Sequence, residues 1–290
     1  MTDQGELSRR VKRIQIISKR LVDTMFTGNY KSLFRGPGLE FDEVRSYISG
    51  DDTRFIDWNV SSRMGEPYTK TFKEEREMNL MVLLDGSASL CHDLEGSKRE
   101  MSGIIFSLIA HAANANNDRV GSLIFSDKIE EYHAPMKGNK NILKQVSQVM
   151  GFIPQGKGSD LALASRTCME LMKRRGICFI ISDFKTDGYR KELSLLARKH
   201  DVIAISLNDK KERVFPRVGF VELQDRETGR RQIFHGGSRI LRDDYHEFWD
   251  LHYYKLEEFC RANRIDYVEI ETGDDPLEKI IAFFKRRNKR

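Results

Sequence analysis

Cysteine is scarce in this 290-residue chain, with four in all, and Cys91, Cys168, Cys178 and Cys260 are too far apart to form any C-x-x-C pair. That excludes a disulfide scaffold and leaves no ligand set for a structural zinc; two of the four sit in apolar runs and read as reduced thiols. Proline is also rare, at six residues, so rigid proline-rich linkers are absent. No stretch approaches the roughly 18 apolar residues a membrane-spanning helix needs. The first residues, MTDQGELSRRVKR, carry charge where a signal peptide needs an apolar core, so the expectation is a cytoplasmic chain.

Charge is present but weakly biased. The net charge is +5, with bases gathered in SRRVKR (8–13) and KRRNKR (285–290). No aromatics interleave with them, so they read as solvated helix faces, and no nucleic acid is expected as a partner. An RNA or membrane adaptor working through these patches is the lowest-ranked function.

Periodicity divides the chain. Residues 11–26 space Val11, Ile14, Leu21, Val22 and Met25 as on an amphipathic helix; 28–38 is a glycine- and proline-marked loop, and 40–50 reads as a short helix closed by Gly50. From residue 78 the pattern becomes an alternation of apolar strands with amphipathic helices. Strands are expected at 79–85, 119–126, 128–134, 176–184, 201–207 and 265–270, and helices at 97–117, 139–150, 159–175, 188–200, 241–263 and 275–287. Residues 220–234 read as an inserted β-hairpin with its turn at Thr228-Gly229. This predicts an α/β doubly wound, mostly parallel sheet over 78–290, with 1–77 as a helical extension.

Ligands of such sheets bind beyond the carboxyl ends of the strands. There the stretch MVLLDGSASL (81–90) ends a strand on Asp85 and follows it with Ser87 and Ser89. Ser159, opening the helix at 159, and Asp183, ending the strand at 176, should border the same spot. Serine catalysis fits poorly: Ser89 stands where a nucleophile elbow needs its second glycine, and none of the seven histidines lies in a convincing strand-end loop. Phosphorylation of Asp85 would make the protein a metal-dependent phosphotransferase or hydrolase. That reading stays open, although hydroxyls rather than further acids surround Asp85. A hard cation fits best, since Mg²⁺ or Mn²⁺ takes oxygen ligands and keeps waters, and hydroxyls add ligands without cancelling its charge.

The set Asp85-x-Ser87-x-Ser89, Ser159 and Asp183 resembles the metal-ion-dependent adhesion site of von Willebrand factor A domains, with serine at 159 where that family usually has threonine. The resemblance implies a bound Mg²⁺ that captures an acidic residue of a protein partner. A second resemblance covers nearly the whole chain: GLEFDEVRSYISGDDTRFIDWNVSSR (38–63), FKEERE (72–77), ISDF (181–184) and LQDRETG (223–229) resemble the bacterial domain-of-unknown-function family fifty-eight. Membership implies a von Willebrand A-like protein partnered by a MoxR-type AAA+ ATPase or its client. It also implies a chaperone-like assembly or stress role and peripheral association with membrane-anchored von Willebrand A proteins; no catalytic activity is established for the family, and none is expected here. Within the first signature, Arg45, Arg54 and Arg63 alternate with Asp51, Asp52 and Asp57 around Trp58. Arg54, Asp57 and Trp58 are expected to be a buried clamp rather than a partner surface.

Overall fold

The computed structural model describes residues 40–73, 77–91, 97–156, 158–224 and 230–287, so the expected helix at 11–26 and the loop at 28–38 lie outside the described residues. Two compact units divide between Met78 and Asn79.

In the smaller unit, β1 (Glu40–Ser46) leads through a 3₁₀ turn (Thr53–Phe55) and α1 (Trp58–Met64) to β2 (Tyr68–Lys73), which pairs antiparallel with β1. The helix expected at 40–50 is therefore a strand. Its register slips between Phe41 and Glu43, and this bulge breaks the period of two by which a strand is recognised. The carboxylates of the signature are used locally. Asp52 caps the 3₁₀ turn and takes the Arg54 guanidinium at 2.7 Å, while Asp57 caps α1 by accepting from the Asn59 and Val60 amides. Gly65 closes α1 at φ 78°, a left-handed conformation suited to glycine. Arg45 pairs with Asp51 at 2.8 Å. Burial of Arg54 and Trp58 is overturned: the Arg54 side chain is 82% exposed and Trp58 71%. Two residues of separation let Asp52 satisfy Arg54 at the surface, so the pair needs no buried partner.

The larger unit begins with β3 (Asn79–Asp85), α2 (Ala88–Cys91) and α3 (Ser97–Ala115), followed by β4 (Arg119–Phe125), β5 (Ile129–Met136) and α4 (Asn139–Gly151). Next come α5 (Leu161–Leu171), β6 (Ile177–Ser182), α6 (Arg190–Lys199), β7 (Asp201–Asn208) and the short α7 (Lys210–Arg213). The hairpin β8 (Phe220–Gln224) and β9 (Arg231–His235), α8 (Arg239–Ala262), β10 (Asp266–Glu271) and α9 (Pro276–Arg287) complete it. One six-stranded sheet has the order β10-β7-β6-β3-β4-β5, parallel throughout except for β5 at the edge. This is the expected α/β fold with a mostly parallel central sheet. The reason lies in β3, β6 and β7, whose runs NLMVLLD, ICFIIS and DVIAISLN are buried almost end to end, as strands covered on both faces must be. The order reverses across β3, where the connection to β4 goes one way and β6 lies on the other side, so the carboxyl end of β3 is the switch point.

The two hairpin strands pair as expected, with the expected turn at Thr228-Gly229 outside the described residues, and Ser238 caps α8, its hydroxyl accepting the Leu241 amide. Only Tyr253, Leu256 and Cys260 of its 24 residues are buried. Edge-to-face contacts between Phe234 and Phe215, Phe215 and Tyr245, and Tyr245 and Trp249 join its first half to the hairpin. Among the described residues no helix is long and apolar enough to cross a membrane.

Candidate functional site: a carboxylate and hydroxyl cluster at the carboxyl end of the sheet

Asp85 is the last residue of β3, and the next strand, β6, lies in register with Leu84 opposite Ile181, so Ser182 and Asp183 arrive beside it. Gly86 then turns the chain. Its amide donates to the Phe125 carbonyl at 2.6 Å, and a Cβ there would stand 3.0 Å from the Phe152 ring and 3.3 Å from the Phe125 carbonyl oxygen. The close approach of two strand-end loops selects glycine.

The Asp85 carboxylate is 5% exposed. Its Oδ1 accepts the Ser87 amide at 2.9 Å, and its Oδ2 accepts hydroxyls from Ser182 at 2.6 Å and Ser159 at 2.9 Å. Ser87 and Ser89 hydroxyl oxygens are 3.0 Å apart. Asp183, 2% exposed, accepts the Lys185 amide on Oδ1 at 3.2 Å, while its Oδ2 is buried with no hydrogen-bond partner. Asp85, Ser87, Ser89, Ser159 and Asp183 are thus gathered by three loops.

Two of these loops are held rigidly. Ser159 follows a segment tied down by Glu130, which accepts the Gly156 amide at 2.7 Å, the Ser126 hydroxyl at 2.7 Å and the Gln155 amide at 3.1 Å. A Cβ on Gly156 would fall 2.0 Å from Asp127 Oδ1. Asp160 continues the anchorage, donating its amide to the Ser126 carbonyl at 2.8 Å and capping α5 through the Leu163 amide. In the Asp183 loop, buried Phe184 sits at φ 54°, a left-handed conformation unfavourable for an aromatic side chain, and its amide donates to Ser182 Oγ.

Burial and the charge of Asp183 push the Asp85 carboxyl up to about 6, against the lowering effect of the Ser182 and Ser87 hydrogen bonds. Two buried carboxylates therefore repel each other across a space lined by hydroxyls, and one of their oxygens, Asp183 Oδ2, accepts no hydrogen bond and has only the Lys98 ammonium at 3.7 Å. That is a cation's complement: oxygen donors of mixed charge, as a hard ion takes. Among the described residues no group of three or more His, Cys, Asp or Glu could hold a metal, so any ion here depends on the hydroxyls.

Three participants escaped sequence reading. Ser182 makes the shortest bond to Asp85, and its signal was its place beside Asp183 at a strand end. Lys98, fully buried in the first turn of α3, places its ammonium 3.7 Å from Asp183 and 2.5 Å from Glu212 of α7. A lysine near a helix start reads as solvated, so nothing local marked it. His252 of α8 packs on the Phe184–Asp187 loop, where burial lowers its pKa.

A family model for a protein of unknown function, DUF58, matches residues 43–252. An uncharacterized protein of Mycobacterium bovis, Mb1516, is 28% identical over 291 residues, spanning 99% of this chain and 92% of that one. An uncharacterized protein of Mycobacterium avium, MAV169, is 31% identical over 137 residues, covering 47% of this chain and 80% of its own. Among solved structures, an aerotolerance-related membrane protein from Bacteroides fragilis overlays with a TM-score of 0.48 at 14% identity, covering 73% of this chain and 98% of that one. With most of the signature at 38–63 and the whole Asp85 loop inside the matched region, this chain belongs to the DUF58 family.

Proposed function

We propose that the chain is a cation-dependent protein-interaction module of the von Willebrand A type, whose Asp85, Ser87, Ser89, Ser159 and Asp183 hold Mg²⁺ or Mn²⁺ in a metal-ion-dependent adhesion site. The observation that carries this reading is the buried pair Asp85 and Asp183 at the switch point of the sheet, with Asp85 rimmed by hydroxyls and Asp183 Oδ2 accepting no hydrogen bond and answered only by the Lys98 ammonium at 3.7 Å. Bound there, the ion supplies an electrophilic position open to a carboxylate from another molecule. The chain's own residues do the rest: Glu130 and Gly156 set Ser159, Ser182 orients Asp85, and Gly86 lets the Ser87 loop close over the site.

The partner in this reading offers an aspartate or glutamate. A MoxR-type AAA+ ATPase or its client is the proposed candidate, in chaperone-like assembly or stress physiology. The test is calorimetric titration of Mg²⁺ and Mn²⁺ into wild type and Asp85→Ala, followed by binding of the purified ATPase with and without chelator. Heat of cation binding in wild type alone, and ATPase binding lost on chelation, support the reading. Equal heats in both proteins, with both folded, overturn it.

A further inference from the structure

Lys98 is wholly buried, and burial of an ammonium is costly unless anions surround it. Its anions are Asp183, at 3.7 Å, and Glu212, at 2.5 Å. Glu212 is shared: Lys185 reaches the same oxygen at 2.5 Å while lying 4.6 Å above the Trp249 ring. Burial alone would raise Glu212, but Lys185 and Lys98 hold it below the usual carboxylate range. Lys98 also brings its positive charge to 3.7 Å from Asp183 Oδ2, the oxygen that accepts no hydrogen bond.

Taking the cation reading as the starting point, we propose that Lys98 is a resident cation of this site, competing with the divalent ion for Asp183 and leaving the ion-loaded site positive enough to receive an acidic ligand. With the carboxylates ionised, Asp85, Asp183 and Glu212 against Lys98 and Lys185 leave one net negative charge. A divalent ion converts this to one net positive charge. Without Lys98 the empty site would carry two negative charges and the loaded site none. Such a site would bind its metal more tightly and an anion less well, since the ion's charge would be spent on the protein's own carboxylates. Lys98 trades metal affinity for electrophilicity, and Glu212 sets how strongly it does so by drawing the ammonium away from Asp183.

The experiment uses the full chain, Mn²⁺ as the metal and acetate as the acidic probe, read by water-proton relaxation. Lys98→Met is expected to bind Mn²⁺ about tenfold more tightly and, once loaded, to bind acetate about tenfold less well, each a change of one decade in an equilibrium constant. Glu212→Gln should shift both the other way, because Asp183 becomes the only carboxylate left to Lys98. A merely structural lysine would give the reverse of the first result, weaker Mn²⁺ binding, and that or no change in Lys98→Met overturns the proposal. Should Lys98→Met not fold, Glu212→Gln decides: weaker Mn²⁺ binding supports the resident cation and unchanged binding overturns it. Mn²⁺ binding by Lys98→Met but not by wild type would sink the adhesion-site reading while leaving Lys98 as the cation that fills the site. No Mn²⁺ in either folded protein would overturn both.

Discussion

Ser182 donates its hydroxyl hydrogen to Asp85 Oδ2 at 2.6 Å, joining the ends of two adjacent parallel strands. Both groups are buried, and the same serine oxygen accepts the amide of strained Phe184. Ser182→Ala leaves Asp85 short of a donor in a place water does not reach. The expected loss of stability is about 1.5 to 3 kcal/mol, measured as a shift of the urea midpoint at constant slope.

The raised pKa of Asp85 has a definite sign in pH. With a folded value of about 6, above the ordinary carboxylate value, the native state keeps a proton that the unfolded chain has already released. The stability this group contributes is therefore fully present below its ordinary value of 3.8 and is lost as pH rises towards and through about 6, levelling off beyond it. Without divalent ions, unfolding midpoints followed from pH 4.5 to 7.5 should show this decline in wild type and lack it in Asp85→Asn. A decline of equal size in the mutant would assign the slope to other groups.

Cation binding should follow the same titration in reverse. Protonated Asp85 offers no charge to an ion, so Mn²⁺ affinity is expected to drop steeply below about pH 6 and to be flat above it. Titrations at pH 5 and pH 7.5 compare the two regimes, and equal affinities would exclude Asp85 as a ligand.

Gly156 is expected to be intolerant of any side chain. The Cβ of Gly156→Ala would fall 2.0 Å from Asp127 Oδ1 and 2.2 Å from Ser126 Oγ, so the segment leading to Ser159 must move. Affinity for Mn²⁺ should fall, while the far-UV circular dichroism of the sheet and helices stays as in wild type. Undiminished affinity would mean that Ser159 is dispensable to the site.

The signature segment yields a contrast between two charged residues. Arg54 makes an exposed pair with Asp52, and such pairs contribute little, so Arg54→Ala should leave the melting temperature unchanged. Asp57 caps α1 through two amides, so Asp57→Ala should lower it. Should Arg54→Ala instead weaken binding of a partner without affecting melting, the exposed Trp58 beside it in sequence becomes part of a docking surface.

How much of this was legible beforehand depended on whether the signal was local. The strands that bury both faces wrote themselves as unbroken apolar runs, and the carboxyl-end rule then located Asp85, Ser87, Ser89, Ser159 and Asp183 at one end of the sheet. The strand Glu40–Ser46 was missed because a bulge interrupts its period and no such rule bridges the gap. Burial of Arg54 was expected from the clustering of charge in sequence, but clustering says only that partners are near, not that water is excluded.

Local chemistry in the sequence therefore determined the fold class and which five oxygen-bearing side chains gather at the carboxyl end of the sheet, since periodicity and strand-end position are properties of contiguous residues. Tertiary structure alone decided what surrounds them. Ser182 meets Asp85 across 97 positions of chain because β3 and β6 pair in parallel, and Lys98 of α3 meets Glu212 of α7 across 114. Whether a lysine is solvated or is a buried cation depends on which distant carboxylates close over it, and that depends on the packing of the whole unit.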